Sequence, residues 1–395
     1  MRFVWIMKEV PFNPESGLLI YSNGLLRGVL ENGAQGVLVA FERASARGVT
    51  LPGLEVSSVR LKKKVRALSL LTKYHSDSYR HKSAEFIQAV MKAMQTGPDF
   101  VIIDYFAMGW VLPFIKKCIA VNGNRPLIIY ISHNYESNLR FDVARSMRDP
   151  IMRAVLMMDA RKALRLEKDL VAACDLIVVN TDEDKQLYEN DSPGKATITL
   201  TPAYDGEITP VAPLTQQRPK RVIIVGAFDW IAKQANLRRF LQLAEDPFRK
   251  AGIDILIVGR APETFINEMS ARFSFCKFTG RVDDVRAYLT EGRIGLMPDD
   301  VGGGFKHKYL YYIFAGLPVA TVRSQVAGLP IDPDHDFIAR ETMEELVDAI
   351  VKSIDDIPYL NALQKRCWES CAHSFNWQDR GTRLAKKIKQ LRAVN

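Results

Sequence analysis

The chain has 395 residues, 47% of them hydrophobic and 25% charged, with a formal net charge of +9. That length is enough for two domains with full cores, and the composition is that of an ordinary globular protein. Five scattered cysteines (Cys118, Cys174, Cys276, Cys367 and Cys371), an odd number, point to a reducing cytoplasm and away from a disulfide framework. The apolar start VWIM (Val4 to Met7) is too short for a signal peptide and runs into Lys8 and Glu9, so none is expected. The longest apolar stretch, Phe100 to Ile115, is broken by Asp104 and Pro113 and falls short of the roughly 20 residues a spanning helix needs.

Arg2 to Met7 reads as a first strand, followed by a Pro/Gly loop and a helix from PESGLLIYSNGLL, then a strand over Gly36 to Phe41. The spacing predicts helix from about Leu61 to Gln95. PDFVIIDYF (Pro98 to Phe106) and PLIIYIS (Pro126 to Ser132) are near-continuous apolar strands, the pattern of a parallel sheet covered on both faces. A long helical region covers about Arg148 to Ala173, and CDLIVVNTDED (Cys174 to Asp184) leads from strand into helix.

Thr201 to Lys220 breaks this rhythm with four prolines and little apolar periodicity, and reads as a linker. Alternation then restarts. Strands are expected at Arg221 to Phe228, Asp254 to Gly259, Cys276 to Thr279, Ile294 to Pro298 and Leu317 to Thr321. Helices are expected at Asn236 to Leu243 and Val282 to Glu291, and from Thr342 onward. The expected architecture is α/β: two Rossmann-like, doubly wound domains, 1–205 and 206–374, facing a cleft, with 375–395 as a helix crossing back to the first domain.

The most informative segment is GGGFKHKYLYYIFAGLP, Gly302 to Pro318. Three glycines allow a sharp bend and close approach to a ligand, two lysines follow, and a helix is expected to end near Gly316. Glycine turn, helix start and lysines together suggest an anion site suited to a phosphate or diphosphate. The competing reading is an ordinary strand–turn–helix with solvated lysines.

This segment resembles the diphosphate-binding motif of retaining glycosyltransferases with the two-lobed GT-B fold, especially glycosyltransferase family 4, the group 1 glycosyl transferases. The matches are GGG (Gly302, Gly303, Gly304), Lys306, Lys308 and AGLPV (Ala315 to Val319). The family's acidic position, which usually holds the nucleotide ribose, is occupied here by Tyr311. That departure leaves two readings: altered nucleotide binding, or lost activity. VGAFDWIAK resembles the opening of the family's second domain, with Gly226 at the strand end and Lys233 seven residues on. FTGRVDDVRAYL resembles a further family segment, in which Asp283 and Asp284 would cap the next helix. Asp299 and Asp300 read as turn residues rather than a replacement ribose acid. In the first half, PESGLLIYSNGLL (Pro14 to Leu26) resembles the family's first loop and helix, which implies that Gly17 approaches the donor, and SHNYES resembles the family's H-N-x-E, so that His133 would reach the transferred sugar. Glu136 would orient sugar or acceptor, or cap a helix.

The resemblance implies a retaining, metal-independent, hexosyltransferase-like enzyme that moves a sugar from a UDP- or GDP-type donor to a glycan, lipid-linked or protein acceptor. Its expected catalytic residues are His133, Lys306 and Lys233. Gly17, Gly226, Gly302, Gly303, Gly304, Phe305, Lys308 and Tyr311 would bind the donor, with no metal and no separate cofactor. A nucleotide-sugar isomerase or hydrolase and a non-catalytic nucleotide-sugar-binding partner subunit are the alternatives. Cys367, Cys371 and His373 lack a zinc spacing and read as helix residues.

Basic residues cluster twice. Arg60, Lys62, Lys63, Lys64, Arg66 and Lys73 surround Leu68, Leu70 and Leu71, and a second set comprises Arg145, Arg148, Arg153, Arg161, Lys162 and Arg165. Cations beside apolar residues suit an anionic membrane surface, and the expected location is the cytoplasm, with a peripheral place on the inner face of the membrane. No nucleic-acid motif is evident, so nucleic acid is not expected as a partner. Solvated helix faces remain the plain alternative.

Overall fold

The computed structural model describes residues 1–14, 16–229, 231–299 and 305–394. The chain divides into two compact units: Met1–Asp205 with Trp377–Asn395, and Gly206–Asn376.

The first unit is built on a 7-stranded parallel sheet of β1 (Arg2–Ile6), β2 (Gln35–Phe41), β3 (Leu54–Val59), β4 (Phe100–Asp104), β5 (Leu127–Ile131), β6 (Leu176–Val179) and β7 (Thr197–Thr199), in the order β3-β2-β1-β4-β5-β6-β7. The second unit carries a 6-stranded parallel sheet of β8 (Arg221–Val225), β9 (Asp254–Val258), β10 (Cys276–Phe278), β11 (Ile294–Met297), β12 (Val319–Val322) and β13 (Ile338–Arg340), in the order β10-β9-β8-β11-β12-β13. β4, β5 and β6 are buried along their whole length, as their unbroken apolar runs require. Both sheets are doubly wound. Strand order reverses at β1/β4 in the first unit and at β8/β11 in the second, and ligands of such sheets bind at the carboxyl ends of the strands flanking that reversal.

Helix starts follow local chemistry. Asp149 accepts from the Met152 N–H with Pro150 in the first turn, Thr181 accepts from Asp184 N–H, and Thr342 with Glu345 forms a capping box. The segment 61–95 is not one helix. A six-residue 3₁₀ turn (Arg66–Leu71), a short helix (Ser76–His81) and a helix over Ala84–Met94 occupy it, the last started by Ser83 accepting from Phe86 N–H. The helix expected over Val282 to Glu291 contracts to Arg286–Leu289, because Asp284 accepts from the Arg286 N–H and starts it late. β3, β7 and β13 have weak or very short apolar patterns, and sequence periodicity missed them.

The chain between the sheets has no helix or strand, yet it is anchored within the second unit: Asn361 bonds both the N–H and the carbonyl of Leu214, and Gln364 donates to Ala212. The closing helix, Trp377–Val394, packs in the first unit against helix Gly17–Glu31 through backbone contact. A Cβ on Gly28 would lie 2.6 Å from Gly381 Cα, and one on Gly24 would lie 2.2 Å from the Trp377 ring. Among the described residues, no helix is long and apolar enough to cross a membrane.

Candidate functional site

In the second unit, β8 and β11 pair only through Ile294 with Val222 and Gly295 with Ile223. Beyond that point the strands part, and the Tyr312 hydroxyl fills the opening. It accepts from Val225 N–H (2.8 Å) and donates to the Leu296 carbonyl (3.1 Å). Gly295 permits this approach, since a Cβ there would sit 2.5 Å from the Tyr312 ring. Tyr309 pins the same helix, Lys308–Phe314, to β12 through the Thr321 hydroxyl at 2.7 Å. Just past its end stands Gly316, whose φ of 72° is a left-handed conformation that favours glycine.

Three lysines gather at this reversal point. Lys233 lies near the start of helix Ile231–Ala251, while Lys306 and Lys308 follow β11. Burial lowers the Lys306 ammonium pKa, with the charge of Lys233 adding to the effect and Asp299 opposing it. Lys308 is brought down to about 8, first by burial and then by the charges of Lys233 and Lys306, against the attraction of Asp299. Asp299 is itself buried, and its Oδ2 lies 3.9 Å from Lys308 Nζ. Besides the turn role the sequence suggested, it faces the lysine group as a counter-charge. Among the described residues, these lysines gather around the buried carboxylate of Asp299, a concentration of positive charge of the kind that binds an anion.

The helix start contributes less than expected. The helix has seven residues, and the N–H groups of Tyr309 and Leu310 already bond the carbonyls of Lys306 and His307. The lysine side chains carry the positive charge. Tyr311, where the family has an acid, stacks edge-on against His307 with ring centres 5.2 Å apart. Phe305 rests against Phe375 at 5.8 Å. Gly226 directly follows β8, where its N–H bonds Val258. Gly302, Gly303, Gly304 and Asp300 lie outside the described residues.

The first unit holds a second constellation, also at its reversal point. His133, just after β5, makes a 2.7 Å hydrogen bond through Nε2 to Asp104 Oδ1 at the end of β4. Asp104 also accepts from the Trp5 indole N–H of β1 at 2.9 Å. With Nε2 engaged by the carboxylate, Nδ1 is the ring nitrogen left for another partner. The His133 carbonyl is held by Asn180 Nδ2 at 3.0 Å, and the Tyr21 ring packs edge-on at 5.4 Å. Gly17 opens the helix that carries Tyr21.

Glu136 neither caps its helix nor stands free. The N–H groups of Glu136 and Ser137 donate to the buried Glu167, and Glu136 holds Arg140 at 3.2 Å. Arg140 in turn reaches Asp77 Oδ2 at 3.1 Å and the Tyr105 hydroxyl at 3.2 Å. Burial would raise the Asp77 carboxyl, but Arg140, His75 and the Tyr105 hydroxyl hold it well below the usual range. Tyr105 has a φ of 84°, a strained backbone for a side-chain-bearing residue, and the Lys8 ammonium sits 4.8 Å over its ring. Asp104 was missed in the sequence, although a lone charge closing an apolar strand is the signal that marks it.

Residues 219–356 match the family model of glycosyl transferases group 1. This segment is a group 1 glycosyl transferase domain. The whole chain has the GT-B fold of glycosyltransferases. Sucrose-phosphate synthase from Thermosynechococcus elongatus superposes with a TM-score of 0.69 at 16% identity, covering 100% of both chains. Anabaena HepE in complex with UDP-glucose superposes at 0.68 and 12% identity, over 99% of this chain and 100% of its own. WaaG, a glycosyltransferase involved in lipopolysaccharide biosynthesis, gives 0.65 at 15% identity, over 98% and 99%. No curated protein gives a significant sequence match. The group 1 glycosyl transferase match covers β8 to β13, and Lys233, Asp299, Lys306, Lys308 and Tyr312 all lie within it.

Proposed function

We propose that the chain is a retaining glycosyltransferase that moves a sugar from a UDP- or GDP-type donor to a glycan, lipid-linked or protein acceptor. The observation that carries this reading is the gathering of Lys233, Lys306 and Lys308, all half-buried, at the strand-order reversal within the segment that matches the group 1 glycosyl transferase model. HepE, of the same fold, is described in complex with UDP-glucose.

Cleavage of the sugar C–O bond moves an electron pair onto the leaving diphosphate. Lys306, Lys308 and Lys233 meet that growing charge, so this reading assigns to lysines the role a metal ion takes elsewhere. The acceptor hydroxyl forms the new bond, and its proton passes to the departing phosphate oxygen. His133, oriented by Asp104, serves the transferred sugar. Retention of configuration rests on the family resemblance.

The test is a thermal-shift screen against a panel of nucleotide sugars, followed by product analysis with the donor that stabilises the chain. Free nucleoside diphosphate together with a glycoside supports the proposal. Tyr311 at the family's acidic position favours a second reading, a nucleotide-sugar-binding subunit without transfer activity. Donor binding by calorimetry with no product from any acceptor would establish that one instead.

A further inference from the structure

Exposed large apolar side chains of the first unit gather on two neighbouring segments. Val65 (65% exposed), Leu68 (47%) and Leu71 (86%) lie in and beside the 3₁₀ turn, while Ile151 (76%), Met152 (47%) and Met158 (46%) lie on helix Pro150–Ala173. The segments touch: Lys162 Nζ donates to the Ser69 carbonyl at 2.8 Å and to the Leu70 carbonyl at 3.3 Å, and the Ser76 hydroxyl bonds Asp159 at 2.6 Å. Ile151, Met158, Lys162 and Arg165 recur at helical spacing, so the apolar residues continue on the helix face that meets the turn.

Cations surround this surface. Arg60 to Lys73 contains no Asp or Glu. Lys63, Arg66, Arg148, Arg161 and Arg165 are exposed, with no ion pair or hydrogen bond to a described residue. Two lysines of the same clusters are already used. Lys64 donates to the carbonyls of Tyr79 and Lys82, and Lys162 holds the turn, so both maintain the shape of the surface. Lys62 pairs with Glu85.

We propose that this face docks on an anionic lipid bilayer. Interleaved aliphatic side chains and unpaired cations fit an interface where headgroup phosphates lie above acyl chains. A nucleic acid would leave Leu71 and Ile151 in water, and a second copy would set the same unpaired cations against each other. The surface belongs to the first unit alone, so the inference goes beyond the transferase reading and does not depend on it.

The experiment is co-sedimentation of the full chain with vesicles of phosphatidylcholine alone or mixed with phosphatidylglycerol, at low and high salt. Binding is expected only to the anionic vesicles, with release at high salt. The variant Lys63→Gln/Arg66→Gln/Arg161→Gln/Arg165→Gln should lose binding by more than tenfold, since each cation near such a surface is worth about fivefold. Leu68→Ser/Leu71→Ser should weaken binding to the same vesicles with its circular dichroism spectrum unchanged. These side chains are exposed, so both variants are expected to fold. A wild type that stays in the supernatant at low salt, variants that bind like wild type, or self-association abolished by Leu71→Ser would each overturn the proposal. Nucleotide-sugar binding without vesicles reports on the transferase reading separately.

Discussion

In the proposed transfer Lys306 would meet the leaving-group charge, and Lys308 stands beside Asp299 on the helix that Tyr309 and Tyr312 pin. Lys306→Ala is therefore expected to lower transfer on the order of 10²-fold with an unchanged melting curve. Near-normal turnover by a folded variant would remove Lys306 from the site. The depressed pKa of Lys308 sets a pH dependence with a definite sign. Its folded value of about 8 lies below the ordinary lysine value, so the cost of burying the charge is present below pH 8 and relieved as pH rises toward 10.5. Diphosphate binding needs the protonated form, so affinity should fall as pH rises from 7 to 9. Titration calorimetry across that range should show a flatter profile for Lys308→Arg, which keeps its charge. In the first unit, Asp104→Asn leaves volume unchanged but removes the charge that engages His133 Nε2. It should lower kcat about tenfold to hundredfold with nucleotide affinity unchanged, and His133→Ala should do the same. Equal losses in nucleotide affinity would show the pair acting structurally.

Elements, not single residues, place these groups. Tyr312 closes the opening between β8 and β11, so helix Lys308–Phe314 is fixed to both strands that define the reversal point. Glu167 does the equivalent work in the first unit, starting helix Glu136–Ser146 from a buried carboxylate. The closing helix has its own requirement. Gly28 and Gly381 meet backbone to backbone, so any side chain there forces the helices apart. Gly381→Val is expected to destabilise the first unit by about 1–3 kcal/mol, seen as an earlier chemical-denaturation midpoint, while nucleotide binding in the second unit persists. An unchanged midpoint would mean that the two helices are held by other contacts.

For the whole molecule, the two units share one construction: a doubly wound parallel sheet with its polar groups at the strand-order reversal. Among the described residues, the second unit presents a group of half-buried lysines there, and the first a histidine–carboxylate pair and a neutralised arginine. A nucleotide sugar at a hundred times its dissociation constant should stabilise the native chain by about 2.7 kcal/mol, read as a rise in melting temperature that Lys306→Ala suppresses. No shift with any UDP- or GDP-sugar would count against the donor assignment.

The sequence by itself determined the α/β alternation and the lysine-bearing segment after β11. Both are written in local patterns: unbroken apolar runs such as LIIYI (Leu127–Ile131) need no partner to be recognised, and Lys306 and Lys308 lie two positions apart in the chain. The expectation of a phosphate or diphosphate likewise rests on residues a few positions apart, Gly302 to Lys308. Tertiary structure alone decided what each group touches. Trp5 and Asp104 are 99 residues apart, His133 and Asp104 are 29 apart, and Val225 and Tyr312 are 87 apart. Only the fold shows Asp299 buried beside Lys308, and Lys64 reads as one more surface cation until the fold gives it two carbonyls. Periodicity records which face of an element is buried; it carries no record of which distant element covers that face.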